Sequence, residues 1–185
     1  MNLELAKEMA TRFKQWGIFS VFTTAEIAQA AGVKEDLLRQ WIKRGHIQFR
    51  FSDLRPSRPG TGRTMLFNCH ELLEVMAFAE LARLGLPPNR FAGDAAEIIS
   101  STTTHKIMEI AGEWGEWRPD MADYQRYVIT FYNPNHNGPD WTIANLPSLP
   151  SNSEITTWVA IDTLALARQV LRVLATRGKA GGNHE

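Results

Sequence analysis

Eight cations, Lys34, Arg39, Lys43, Arg44, Arg50, Arg55, Arg58 and Arg63, fall between Val33 and Arg63, against Glu35, Asp36 and Asp53 as the opposing carboxylates. This stretch therefore holds a local excess of five positive charges on a chain whose formal net charge is +0. Segregated charge makes a local field even on a neutral protein, and it suits contact with phosphate.

Other chemistry is scarce. Cys69 is the single cysteine, so the chain has no internal disulfide and no CxxC or Cys/His finger spacing for zinc. His70, His105 and His136 lack carboxylate or cysteine partners at metal-ligand spacing, and Cys69 beside His70 lacks the rest of a site. A place in the first turn of a helix favours packing over nucleophilic work for Cys69, although such a turn lowers a thiol pKa. His46 reads as a capping or exposed residue, with a phosphate hydrogen bond as the alternative. Trp114 and Trp117 read as anchors of a connector. No GxSxG, phosphate loop or dinucleotide fingerprint occurs, so the expectation is a protein that is no enzyme and uses no cofactor.

The elements that must position the basic stretch are marked by local signals. Leu5, Met9, Phe13 and Trp16 at helical spacing, with Gly17 as a stop, predict an amphipathic helix over residues 3–16. Thr23 with Glu26 forms a capping box, and Phe22 with Ile27 a hydrophobic staple, which predicts a helix over 24–30. Gly32 stops it. Glu35 and Asp36 favour a second helix start through the macrodipole, with Leu37, Leu38, Trp41 and Ile42 as its inward stripe. After Gly45, IQFRF and RTMLF alternate on either side of DLRPSRPGTG, predicting a hairpin with a long basic tip. Asn68 and Glu71 repeat the capping box and open a helix whose Leu72, Leu73, Met76, Leu81 and Leu84 supply core until LGLPP breaks it. FAGDAAEII and HKIMEIA suggest one or two further helices, separated by the poor helix formers STTT.

GEWGEWRPDMAD, an acidic glycine-containing run, separates this part from three strand-like segments, RYVITFY, WTIANL and ITTWVAI. Asp162 then caps a final helix, TLALARQVLRVLATR. The expected fold class is α+β: a mostly helical module over 1–112, a connector over 113–123, a unit with a short antiparallel sheet and C-terminal helix over 124–177, and a flexible tail over 178–185. Leu164, Leu171 and Leu174 make one apolar stripe on the final helix, and Leu166, Val170 and Val173 a second. Three short strands should not cover both, which predicts a homodimer interface there. With 44% hydrophobic residues the chain can build one ordinary core or two small ones. Charges interrupt the apolar positions of MNLELAKEMATRFKQW, so it is neither a signal peptide nor a membrane span, and a cytoplasmic protein is expected.

FTTAEIAQAAGVKEDLLRQWIKRGHI, followed by GTGRTMLFNCHELLEVMAFAELARLGLPP, resembles the winged helix-turn-helix DNA-binding domain of the MerR family over about residues 20–90. AEIAQAAGV matches the first helix and turn, LLRQW the recognition helix, RGHI the exit into the wing, and HELLEVMAFAELARLGL the helix beyond it. Lys34 stands where the family commonly has a Ser or Thr cap, Trp41 replaces a tyrosine, and Arg63 lies two residues before the Met65 position where the family has arginine. Nothing after residue 112 matches the family's coiled-coil helix, cysteine-lined metal site or drug-binding domain. The resemblance implies a recognition helix in the major groove, with the preceding helix crossing the backbone. The expected DNA-contacting residues are Thr24, Lys34, Arg39, Gln40, Lys43 and Arg44 on the helices, and Arg55, Arg58 and Arg63 in the wing. Gln40 suits adenine, Arg39 guanine or phosphate, and the wing arginines the backbone or minor groove. The expectation is a sequence-specific transcriptional regulator that binds double-stranded DNA as a homodimer, with its C-terminal unit used for dimerisation or for contact with a protein partner. The alternative is an architectural or packaging protein, of excisionase or small-terminase type, that binds DNA as an oligomer.

Overall fold

Two capping boxes set where the central helices begin. Thr23 Oγ1 accepts from the Glu26 N–H (3.3 Å) while Glu26 Oε2 accepts from the Thr23 N–H (2.7 Å). Asn68 Oδ1 and Glu71 Oε2 repeat the exchange at 2.9 Å in both directions. Each box satisfies backbone donors that the first helical turn leaves orphaned, worth about 1 kcal/mol per cap. Phe22 and Ile27, the staple pair, are both buried.

The computed structural model describes residues 3–17, 21–49, 65–112, 126–133, 138–144 and 158–180. Within them the chain is α+β and mostly helical, with six helices and two small antiparallel sheets. In chain order these are α1 (Leu3–Trp16), β1 (Phe22–Thr23), α2 (Thr24–Ala31), α3 (Glu35–Lys43), β2 (Leu66–Phe67), α4 (Cys69–Arg83), α5 (Arg90–Ala111), β3 (Tyr127–Asn133), β4 (Gly138–Ala144), β5 (Trp158–Asp162) and α6 (Thr163–Ala180). None of the described helices is long and apolar enough to cross a membrane.

Only Gly32, Val33 and Lys34 separate α2 from α3. Gly32 takes the left-handed conformation (φ 66°), its N–H donating to Gln29 O (3.1 Å), and the Val33 N–H returns to Ala28 O (2.9 Å). That is a Schellman stop, which costs glycine nothing and costs other residues strain. Gly45 (φ 69°) ends α3 the same way, with the His46 N–H donating to Trp41 O (3.0 Å).

Several expectations change in three dimensions. Leu38 and Trp41 form the buried seam of α3, the Trp41 ring lying 4.9 Å from that of Phe78 on α4, but Leu37 is 40% exposed. A nine-residue helix docked mainly on α2 hides a narrow seam, and Leu37 falls outside it. Leu84 is the C-cap of α4, past its last packed turn, and is 52% exposed rather than core. The run through STTT does not divide the next helix: α5 is continuous over 22 residues. Ser100, Thr102 and Thr103 are buried along it, and the two threonine hydroxyls donate back to Ile98 O (3.0 Å) and Ile99 O (2.7 Å). Packing against neighbours outweighs weak intrinsic propensity there.

The expected hairpin also differs. β2 pairs with β1, in the register Phe22↔Phe67 and Thr23↔Leu66, and residues 47–49 form no strand. Ile47 and Phe49 are nonetheless buried, the Phe49 ring standing edge-on to Phe67 at 5.4 Å. Burial of those two side chains holds the segment without ladder hydrogen bonds. The hairpin tip, with Arg50, Arg55, Arg58 and Arg63, lies outside the described residues, as does the expected connector over 113–123.

In the second sheet β3 is central, in the order β4-β3-β5, antiparallel throughout. Asp162 caps α6, its Oδ1 accepting from the Ala165 N–H (3.0 Å) and its Oδ2 meeting Arg126 at 2.6 and 3.0 Å. Thr163 donates from both N–H and Oγ1 to Arg126 O (2.8 and 2.6 Å), so the start of α6 is fastened to the start of β3. α6 then runs to Ala180, into the residues expected as a tail.

The two apolar stripes of α6 are used inside the chain. Leu164, Leu166, Val170, Leu171 and Leu174 are buried and Val173 is half-buried. The cover comes from α1 and α5, with a lighter contact to α4, not from the sheet alone. These six residues therefore do not present the surplus surface that argued for a dimer interface. One continuous cluster joins Val128, Ile161 and the α6 residues to Phe13, Leu72 and Phe78.

Two outcomes test this packing. A Cβ added at Gly93 on α5 would stand 2.1 Å from His46 O, a backbone atom that cannot rotate away. Gly93→Ala is expected to lower the urea unfolding midpoint, by about 1–3 kcal/mol in stability. At Asp162, burial pushes the carboxyl pKa up, but the Arg126 hydrogen bond, the Ala165 and Leu164 N–H groups and the Arg126 charge hold it below its ordinary value. The stability it contributes is complete above the unfolded-state pKa of about 3.9 and is lost as pH falls through the lower folded-state value. Thermal melts from pH 7 to pH 2 are expected to show a shallower acid decline for Asp162→Asn than for the unaltered chain.

Candidate nucleic-acid interface

The basic face is built on α3 and the turn that leads into it. Lys34 is the N-cap of α3 and makes no side-chain cap hydrogen bond, so its amine is left to solvent. Arg39, Gln40 and Lys43 are exposed along the helix, and Arg44 is exposed as the C-cap. Lys34, Lys43 and Arg44 have no ion-pair partner among the described residues. Arg39 does: its Nε and Nη2 reach Glu35 Oε1 at 3.1 and 2.5 Å. That pair is an exposed i,i+4 bridge, worth only about 0.3–0.5 kcal/mol, so an incoming phosphate or base edge competes with it easily. Together α3 and its caps offer Lys34, Arg39, Lys43 and Arg44 against Glu35 and Asp36.

Thr24 does not join this face. It is 3% exposed, in phase with Ile27, Ala28 and Ala31 on the buried side of α2. The i, i+3, i+4, i+7 spacing of those four residues is visible in the sequence and is the signal that assigns Thr24 inward. Arg55, Arg58 and Arg63 lie outside the described residues.

Two arginines that sequence reasoning passed over fix α2 beneath α3. Arg83, at the end of α4, pairs with Glu80 and donates from Nη2 to Ala31 O (3.2 Å), a carbonyl at the C-terminal end of α2. Arg177, near the end of α6, donates from Nη2 to Val21 O (2.6 Å) and lies 4.5 Å over the Phe22 ring. Its Nη1 stands 2.9 Å from Glu26 Oε1, close enough for an ion pair though too poorly aligned for a hydrogen bond. Glu26 thus caps α2 with one carboxylate oxygen and meets Arg177 with the other. Nothing in the sequence links Arg177 to Val21, 156 positions away.

Of the remaining chemistry-bearing residues, Cys69 and His70 serve the interior and His105 is exposed on its own helix. Cys69 is fully buried, and burial pushes its thiol up to about 12, against a partial pull down from the Arg177 charge. His70 is half-buried with its ring edge-on to Phe13 at 5.2 Å and its Nδ1 3.5 Å from Thr104 Oγ1, and burial lowers its pKa. His105 Nδ1 lies 2.9 Å from Ser101 O on its own helix. His46 is half-buried, its carbonyl against Gly93. His136, Trp114 and Trp117 lie outside the described residues. Among the described residues no group of three His, Cys, Asp or Glu side chains is arranged to hold a metal ion.

Because the Cys69 thiol is both enclosed and held protonated, it is expected to resist Ellman's reagent at pH 8 in the native protein. Labelling should instead follow the urea unfolding transition.

The sequence matches no protein-family model, and no curated protein is significantly similar to it.

Proposed function

We propose that the chain is a sequence-specific transcriptional regulator that binds double-stranded DNA through a winged helix-turn-helix made of α2, its three-residue turn, α3 and the segment leading to β2. The observation that carries this is the division of α3 into two sides. Leu38 and Trp41 fasten one side to the body of the protein, while the other carries exposed cations, three of them without an ion-pair partner among the described residues. A helix presented in this way fits the major groove, with lysines and arginines meeting phosphate and Gln40 within reach of base edges. The resemblance of residues 20–90 to the MerR family points the same way, and the wing arginines Arg55, Arg58 and Arg63 belong to the same proposed contact set.

One module of this size covers a short half-site, so two copies on one two-fold site are proposed as the working unit. The α6 stripes are enclosed within the chain, so they no longer supply the motive for placing that pairing on α6.

Binding is tested by fluorescence anisotropy on duplexes enriched from a random pool, across a salt series. Lys43→Ala is expected to weaken all sequences alike and to reduce the slope of log K against log salt by about 0.9. Gln40→Ala should instead relax preference at one base pair, by about 1–3 kcal/mol, and leave the slope unchanged. Absence of salt-sensitive binding to any duplex by the folded protein would overturn the proposal.

A further inference from the structure

Three large apolar side chains are exposed among the described residues, and two of them sit at helix ends: Leu3 opens α1 and Leu84 caps α4. The third, Leu37, is the third residue of α3, on a helix whose core contact is already made by Leu38 and Trp41. Residues three and seven positions apart share a helix face. Leu37 therefore lies on one face with Gln40 and the C-cap Arg44 after it, both exposed, while the exposed Lys34 stands just before the helix as its N-cap.

We infer, on the DNA-binding reading above, that Leu37 is a specificity-determining residue that packs against the C5-methyl group of a thymine in the major groove, beside the base edge met by Gln40. The thymine methyl is the apolar feature of the major-groove edge, and an aliphatic side chain at the N-terminal part of a recognition helix stands at the depth of the bases. The surroundings of Leu37 favour this occupant over a protein. Lys34, Asp36, Gln40 and Arg44 ring it with polar and charged groups, leaving a single apolar side chain where a protein interface uses a contiguous patch of several hundred square ångströms. A single methyl matches that size, and the flanking cations match the phosphates on either side of it. Paired with the adenine preference of a Gln side chain, Leu37 makes the half-site core read as A·T pairs.

The test uses the full chain and its selected duplex, with thymines replaced one at a time by deoxyuridine, which removes the methyl and keeps the base pairing. One replacement is expected to weaken binding about three- to fivefold, the scale of one buried methyl-sized group. Leu37→Ala should bind the thymine and uracil duplexes equally, with an unchanged salt slope. Its urea midpoint should fall only slightly, by much less than for truncation of a core leucine, since the side chain is 40% exposed. If the unaltered chain binds with salt sensitivity but ignores every uracil replacement, the Leu37 inference fails and the DNA-binding proposal stands. If Leu37→Ala keeps the full uracil penalty, another residue touches the methyl and the inference also fails. If no duplex binds at any salt concentration, both fall together.

Discussion

A helix with no solvent face has to be wrapped, and that requirement organises this protein. Every residue of α4 from Glu71 to Ala79 is buried, so the helix cannot exist at a surface. α5 packs along it, α2 lies across it, α6 touches it, and the Trp41 ring of α3 reaches it through Phe78. The burial of Glu71 is tolerable because its carboxylate is engaged in the capping box that starts the helix. The exposed basic surface is what remains of α3 once α4 and α2 have taken the side they need.

What the sequence made legible was local. The capping boxes at Thr23 and Asn68, the staple of Phe22 and Ile27, the stops at Gly32 and Gly45 and the cap at Asp162 each depend on residues within a few positions of one another, and each is present in the fold. The departures come from contacts that no local window contains. Leu37 and Leu38 are adjacent leucines, and only the approach of α2 decides which of them is covered. The threonines of α5 look like a break until a neighbouring helix buries them and their hydroxyls return to the preceding turn. The stripes of α6 look like surplus because the helices that cover them, α1 and α5, lie far away in the chain. Within the candidate site the same division holds: Arg39, Gln40, Lys43 and Arg44 are exposed as their helical phase implies, and Lys34 as the extended N-cap before the helix, whereas Arg83 and Arg177 matter only because folding brings them to α2.

The placement of α2 explains why residues from both ends of the chain bear on one small surface. Its N-terminal end is held by the β1–β2 pairing and by Arg177 on Val21 O and Glu26, and its C-terminal end by Arg83 on Ala31 O. Among the described residues α3 has no such clamps. It is set by two Schellman turns and the seam of Leu38 and Trp41, so its orientation is inherited from α2. A disturbance at the end of α6 would therefore reach the basic face through the start of α2, without touching any exposed cation.

Charge segregation has a further consequence for the proposed interface. A chain of formal net charge +0 exerts little attraction on DNA from afar, because the field of its basic stretch is offset by the rest of the molecule. At physiological salt the field of exposed charges also decays within about 8 Å. On the DNA-binding proposal, the cations of α3 would act only when the helix is already at the groove, where the phosphates they would meet are those flanking the bases under Leu37 and Gln40. A strongly basic protein gains non-specific affinity along with specific affinity, and the ratio between them suffers. Under that proposal, confining the positive charge to α3 and the segment behind it would couple phosphate contact to base contact, an arrangement that favours discrimination between sites over tight binding to all of them.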